Sequence, residues 1–328
     1  MNKNGDKQTP VPFLLNVRFS NNGTGKNPTQ MIDFVKVRIN TRGTAEQLRK
    51  DPFFDFRAND VNADTGEDHS GQRTATVRNL EITLYESGLV EVTGSLHKYA
   101  NDGHHNHDQF TFERLCQTVR EVSDLLHVPP DLLSLHNVEF GVNVALPMLP
   151  SQFLDSILNY RFKLPDVRTF SGRGHLKQWV HQNYIVKVYD KKRQYRLSAN
   201  ILRFEVKVMA MAHLECVEVR TMADLLDKGK LAVLGGLLSK TYDGLMIGEK
   251  LHTGQMTAPE RRIYEKGMNP NFWRDLPNRK QRTYYRTKFE QLVNRHGGLM
   301  RETVGQLISG RVDFLLKSWD VLPLHIHS

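Results

Sequence analysis

Cysteine is nearly absent: the 328 residues hold two, Cys116 and Cys216. Two thiols build neither a disulfide framework nor a zinc finger. Each sits in an apolar context that reads as a buried free thiol. Long hydrophobic runs are missing as well. No stretch of 18 apolar residues occurs, so no membrane-spanning helix is expected. The opening "MNKNGDKQTP" lacks the apolar centre of a secretory signal. Internal repeats and low-complexity tracts are absent too. These absences lead to the expectation of a cytoplasmic protein with no membrane partner.

What is present is an ordinary globular balance, 39% hydrophobic and 25% charged. The net charge of +9 is unevenly spread. Residues 255–301 carry 11 Lys/Arg against 4 Asp/Glu, whereas residues 46–70 carry 7 Asp/Glu against 3 Lys/Arg. A concentrated basic segment attracts polyanions, nucleic acid first among them. Within it, "NPNFWRDLPNRKQRTYYRTKFEQLVNRHGG" interleaves aromatic and basic side chains. Trp273 and Tyr284 are candidates for stacking on bases, and Arg274, Arg279, Lys280, Arg282 and Arg286 for phosphate contacts. The same pattern also fits an amphipathic helix with a solvated basic face.

Residues 1–30, rich in Asn, Gly, Thr and Pro, read as a loose arm. "GTGKN" within it lacks the glycine spacing and the hydroxyl residue of a phosphate loop. "MIDFVKVRI" alternates as a strand, and residues 41–76 read as a long polar loop with one short helix near Ala45–Arg49. "RNLEITLYESGLVEVTGSL" is a hairpin turning at Glu-Ser-Gly. "FTFERLCQTVREVSDLLHV" has apolar residues at helical spacing, Thr111 as N-cap and Pro129 beyond its end. "LHNVEFGVNVAL" is a strand, and "PSQFLDSILNYRF" a helix opened by Ser151. Two strands follow in "VKVYDKKRQYRLSANILRFEVKV". The order predicts an α+β fold with a mostly antiparallel central sheet of about five strands and packed helices. A basic helical C-terminal region follows, its boundary near residues 220–255. The expected divisions are 1–30, 31–220 and 221–328.

Three places hold side chains suited to chemistry. "GSLHKYANDGHHNHD" gathers His97, His104, His105 and His107 around an Asn-Asp-Gly turn. Clustered imidazoles suit a metal, and they also occur in exposed turns that bind nothing. Glu139 and Glu205 stand on otherwise apolar strands, on the faces opposite Phe140 and Phe204. Cross-strand pairing with lysine or arginine would satisfy them, as would a cation. Tyr189 ends a strand and is followed by Lys191. A phenol flanked by cations has the ingredients of a phosphodiester nucleophile, although packing is its commoner role. His325-Ile326-His327 spells the His-hydrophobe-His pattern of nicking enzymes, at a chain end that argues against a central strand.

Taken in order, these stretches resemble the phage and plasmid replication initiators of the filamentous-phage gene II type, rolling-circle tyrosine nickases. "MIDFVKVRI" is similar to that family's Met-Ile-Asp strand. "GLVEVTGSLHKYANDGHHNHDQF" is similar to its strand leading through lysine to Gly-His-Asn, matching Lys98 and His105-Asn106. "NVEFGVNVAL" resembles its acidic strand, with Glu139 in place of Asp. "VKVYDKK" and "ILRFEVKV" resemble the strands of its nucleophile and of its Arg-Phe-Glu. The resemblance spans roughly residues 31–215. One extra residue precedes His105-Asn106, His97 has no counterpart, and the C-terminal third matches nothing.

The resemblance implies a nicking domain of the HUH/Rep-like kind, though without a plain HUH pair. It implies Tyr189 as nucleophile, forming a 5′-phosphotyrosyl link, with Lys98 and Lys191 neutralising charge. His105, Glu139 and Glu205 would hold Mg²⁺ or Mn²⁺. The implied partners are origin DNA and the host helicase and polymerase, in a bacterial cytoplasm. A related mobilisation or transposition nickase and a non-catalytic DNA-binding protein remain the competing readings. Oligomeric state is not legible.

Overall fold

The computed structural model describes residues 31–58, 71–170 and 173–318. The expected N-terminal arm, "GTGKN" and the His325-Ile326-His327 triplet lie outside the described residues. One ten-stranded, antiparallel sheet organises the chain. Its strands are β1 (Ile32–Ile39), β2 (Arg57–Ala58), β3 (Gln72–Val77), β4 (Leu80–Tyr85), β5 (Val90–Ser95), β6 (Ser134–Ala145), β8 (Asp166–Phe170), β9 (Arg173–Val180), β10 (Tyr184–Asp190) and β11 (Ile201–Val208). They run in the spatial order β2-β3-β4-β5-β1-β6-β11-β10-β9-β8. A separate pair joins β7 (Ile157–Tyr160) to β12 (Leu245–Ile247).

The α+β class and the antiparallel pairing agree with the sequence reading; the count of about five strands does not. The missed strands flank the centre. β3 lies in the presumed polar loop, is half-exposed on both faces and shows little apolar alternation. β8 and β9 form an edge hairpin of mixed polarity. The short helix α1 (Thr44–Lys50) and the hairpin β4–β5 fall where expected.

Register fixes which residues share a face. Phe204 lies opposite Val142, Val206 opposite Phe140 and Val208 opposite Val138, while Val186 and Val188 continue the row on β10. That apolar face is covered by α6 (Lys228–Tyr242) and α10 (Met300–Ser318), with Tyr242 edge-on to Phe204. Val304, Ile308, Val312 and Leu315 of α10 belong to the same core as the central strands. Residues on both sides of position 220 thus contribute to one core. A smaller core is built by Tyr264 of α7 (Ala258–Met268), Trp273 of α8 (Pro270–Asp275) and Phe289 of α9 (Arg279–Arg295). It also takes Leu158 of β7 and Met246 of β12.

Other helices depart from expectation in detail. α2 (Leu96–Ala100) is a short helix in the histidine-rich stretch, capped by Ser95. α3 (Phe112–Leu126) has its Thr111 cap as predicted, and His127 ends it in the left-handed region. α4 (Pro150–Ser156) is shorter than expected, with Leu149 rather than Ser151 before its first turn. The apolar Ile157–Tyr160 leaves the helix because β12 offers it a strand partner. Thr221 and Asp224 form a capping box on a 3₁₀ turn, Met222–Leu226, and Asp227 caps α6. Cys116 is half-buried, but Cys216 is exposed, contrary to the buried-thiol reading, because it lies on a surface 3₁₀ segment. Among the described residues, no helix is long and apolar enough to cross a membrane.

Candidate active site

The opposite face of the central strands is polar and largely buried. Strand pairing sets Lys187 opposite Glu205, Tyr189 opposite Arg203, and Lys207 opposite Glu139. All six therefore share one face. Gly141, opposite Glu205, is required there: a Cβ would lie 2.5 Å from the Glu205 Cβ and 2.4 Å from the Phe204 carbonyl oxygen. The β1–β6 register shifts between Ile32 and Val35. Such irregularities re-aim a side chain, and Asp33 joins the polar face instead of the core.

The contacts form a continuous network. The Tyr189 hydroxyl donates to Glu205 Oε2 at 3.2 Å. Arg203 Nε donates to the same oxygen at 2.8 Å, and its Nη1 donates to Asn143 Oδ1 at 3.4 Å. Arg203 Nη2 stands 4.0 Å from Asp33 Oδ2. Lys187 Nζ lies 3.0 Å from Glu139 Oε1 and 3.3 Å from Glu205 Oε1; Lys207 Nζ lies 2.9 Å from Glu139 Oε1. Asp33 also accepts from Ser95 and from Asn106, the latter at 2.7 Å.

Asn106 pins the histidine-rich turn onto this face. Its carbonyl accepts from Lys191 Nζ at 2.6 Å, and its side-chain oxygen from the Tyr195 hydroxyl at 2.6 Å. Both donors lie on α5 (Lys191–Tyr195), the helix joining β10 to β11, which Asp190 caps. Tyr195 is thus a member of the network. Next to it, His107 packs on the Tyr195 ring at 4.8 Å and on His105 at 4.3 Å. His97 is fully buried, stacks on Phe110 and meets Asp108 Oδ1 at 2.6 Å.

Burial and charge shift the titrations. Burial, then the nearby Glu205 charge, hold the Tyr189 phenol well above its ordinary value. Burial also pushes Tyr195 up to about 12. At Glu205 burial favours the neutral acid, but Lys187 and Arg203 outweigh it and bring the carboxyl down to about 2. Lys191 is driven down to about 7, by burial first and then by the Arg203 charge. Burial lowers His97 to about 4 against the pull of Asp108.

Tyr189, Lys191, Glu139 and Glu205 are therefore brought into one network. His105 is not joined to the glutamates: its ring meets Asn101 and stands 3.5 Å from Asp108. Lys98 is half-buried on α2, where its backbone N–H donates to the Ser95 hydroxyl. Among the described residues, no group of three or more His, Cys, Asp or Glu could hold a metal ion.

In the basic region, Arg274, Arg279, Lys280 and Tyr284 are exposed. Arg282 donates to the Leu276 carbonyl, and Arg286 to Glu290 and the Asp243 carbonyl, so both also serve the fold. Trp273 corrects its expected role. It is 0% exposed and its indole N–H donates to the Gly267 carbonyl at 2.7 Å, so its ring fills the smaller core instead of meeting bases.

No family model matches the chain. No curated protein sequence matches it either. Among solved structures, a rolling-circle replication initiator protein from Geobacillus stearothermophilus shares 12% identity at a TM-score of 0.41, over 70% of this chain and 89% of that one. So low a score fixes neither the fold family nor the activity.

Sequence reasoning passed over Asp33, Asn106, Lys187 and Arg203 as site residues. Alternation alone places Lys187 and Arg203 on the Tyr189 and Glu205 face. Asp33 and Asn106 reach the site only through a register shift and a docked turn, which leave no periodic trace.

Proposed function

We propose that this chain is a DNA-nicking replication initiator that uses Tyr189 as its nucleophile. The observation that supports it is the convergence of the motif stretches: the Tyr189 hydroxyl, 3.2 Å from Glu205, stands on the face that also carries Glu139, Lys187 and Arg203. In the reaction the Tyr189 oxygen attacks phosphorus, the P–O3′ bond breaks, and the departing oxygen takes a proton to become a 3′-OH. The phenol proton is lost to solvent as the network opens, because Glu205, held at about 2 by Lys187 and Arg203, is too weak a base to keep it. Because burial keeps the phenol protonated at rest, strand binding must open the network before attack. The same chemistry in reverse rejoins the strand. The exposed Arg279 and Lys280 hold phosphates, and host helicase and polymerase then act on the freed end.

The expected Mg²⁺ or Mn²⁺ does not fit the residues as they stand: Lys187, Lys207 and Arg203 already hold one oxygen of Glu139 and both oxygens of Glu205. Glu139 and Glu205 supply hard oxygen donors that already bracket one cation, the Lys187 ammonium. His105 is not part of that set.

A second reading, DNA binding without chemistry, is favoured by the 5% exposure of Tyr189. Incubation with single-stranded origin DNA and Mn²⁺ separates the two. A covalent protein–DNA adduct that Tyr189→Phe abolishes is expected. An adduct that survives Tyr189→Phe but not Tyr195→Phe moves the nucleophile to α5, and no adduct with the replicon's own origin supports binding alone.

A further inference from the structure

Three polar side chains stand abreast on neighbouring strands. Register sets Arg203 of β11 directly opposite Asn143 of β6 on one side and Tyr189 of β10 on the other. Adjacent strands lie about 4.8 Å apart, so the row places a guanidinium and an amide within two strand spacings of the phenol. Hydrogen bonds tie the row together. Arg203 Nη1 donates to Asn143 Oδ1 at 3.4 Å, and Arg203 Nε shares Glu205 Oε2 with the Tyr189 hydroxyl. A guanidinium only donates, so this contact fixes which way the Asn143 amide points.

Two donors of the row have no acceptor among the described residues. Arg203 Nη2 and Asn143 Nδ2 are buried without a hydrogen-bond partner, in side chains that are 0% and 2% exposed. Asp33 does not supply one. Its Oδ2 stands 4.0 Å from Nη2, past hydrogen-bond reach, and takes the Asn106 amide instead. Buried donors left unpaired are costly. Two of them beside a reactive hydroxyl mark a place for an oxygen acceptor.

Charge decides which acceptor. The contacted oxygens of Glu139 and Glu205 are already taken by Lys187, Lys207 and Arg203, so a divalent cation finds no ligand set here. An anion finds the opposite. Asp33, Glu139 and Glu205 are matched by Arg203, Lys187 and Lys207, and Lys191 stands beside them on Asn106. Burial, then the Arg203 charge, bring Lys191 down to about 7, so an arriving anion restores its full positive charge. We propose that Arg203 Nη2 and Asn143 Nδ2 receive the non-bridging oxygens of the scissile phosphate. Fixed side-chain donors, and not a metal between the glutamates, then meet the charge that builds on those oxygens. Such donors act most strongly in a dry site, where they need no reorganisation as the charge grows. Tyr189 is 5% exposed, so the opening that admits the strand to the phenol admits it to both donors. This inference rests on the nicking reading of the face for its purpose but not for its test.

The probe is inorganic phosphate, added to the full chain in EDTA and compared with chloride at equal ionic strength. Phosphate should raise the unfolding temperature of the parent protein. Asn143→Asp keeps an oxygen for Arg203 Nη1, removes the donor and puts a negative charge where the phosphate would sit. Its phosphate affinity is expected to fall at least about tenfold. If Asn143→Asp misfolds, Asn143→Leu, which removes the donor without adding charge, carries the same expectation. In parent protein with nitrogen-15-labelled arginine, phosphate should shift the Arg203 guanidinium resonances. No phosphate effect on the parent, parent-like affinity in the variant, or Arg203 resonances that ignore phosphate overturns the proposal and leaves the two donors to ordered water. Failure of the nicking reading looks different: phosphate binds and the variant loses it, yet no DNA forms a Tyr189 adduct.

Discussion

Replacing Arg203 by methionine tests whether the polar face is a bound network or a set of incidental contacts. The guanidinium is 0% exposed and reaches Glu205 at 2.8 Å, Asn143 at 3.4 Å and Asp33 at 4.0 Å. Methionine keeps the apolar stem but leaves Glu205 to Lys187 and Tyr189 alone. Breaking a buried pair by removing one partner costs about 3–5 kcal/mol. The pH dependence gives a second, independent signature. Lys187, Arg203 and Lys191 hold the Glu205 carboxyl well below its ordinary 4.5, down to about 2. A depressed carboxyl contributes stability that is present above the unfolded value and lost as pH falls through the folded one. The gap between parent and Arg203→Met should therefore be widest above about pH 5 and narrow as pH falls toward 2. Urea denaturation at pH 7, 5 and 3 measures it. A loss below about 1 kcal/mol at pH 7, or a gap that does not change with pH, would refute the reasoning.

Gly141→Ala should cost about 1–3 kcal/mol or more, because its Cβ meets the β11 backbone and Glu205 closer than any real contact; an unfolding midpoint equal to the parent's would contradict this. His97, lowered to about 4 by burial, stays neutral while the unfolded chain takes a proton, so stability should fall by up to about 3 kcal/mol between pH 6.5 and 4. His97→Gln should flatten that window in a thermal-melt pH series. Trp273→Ala should cost about 3–5 kcal/mol through the smaller core while leaving single-stranded DNA affinity unchanged at temperatures where the variant is folded. Arg279→Gln with Lys280→Gln should do the reverse, keeping stability and lowering the salt dependence of binding by about 1.4 in log–log slope, read by fluorescence anisotropy.

Strand alternation made the central face legible in part. Glu139, Glu205 and Tyr189 each interrupt an apolar row at the period of two that puts them opposite the core, and all three sit there. Both explanations left open for the glutamates, cross-strand pairing and a cation site, meet in Lys187, which satisfies them by pairing. β3 was invisible for the complementary reason: a strand half-exposed on both faces carries no binary pattern. Trp273 misled because a basic, aromatic composition says nothing about which ring turns inward. Its burial is decided by β7 and β12, elements distant in sequence that complete its core.

The amino-acid sequence by itself determined the α+β class, the central strands and the face on which each polar residue lies, because side-chain period and register are local properties of the backbone. Tertiary structure alone decided what meets on that face. The shift that turns Asp33 out of the core, the turn that Asn106 ties to Lys191 and Tyr195, and the ammonium that bridges Glu139 and Glu205 all join residues far apart in the chain. Such junctions depend on how separate elements dock, and docking follows the summed burial of the whole core rather than any pattern within one segment.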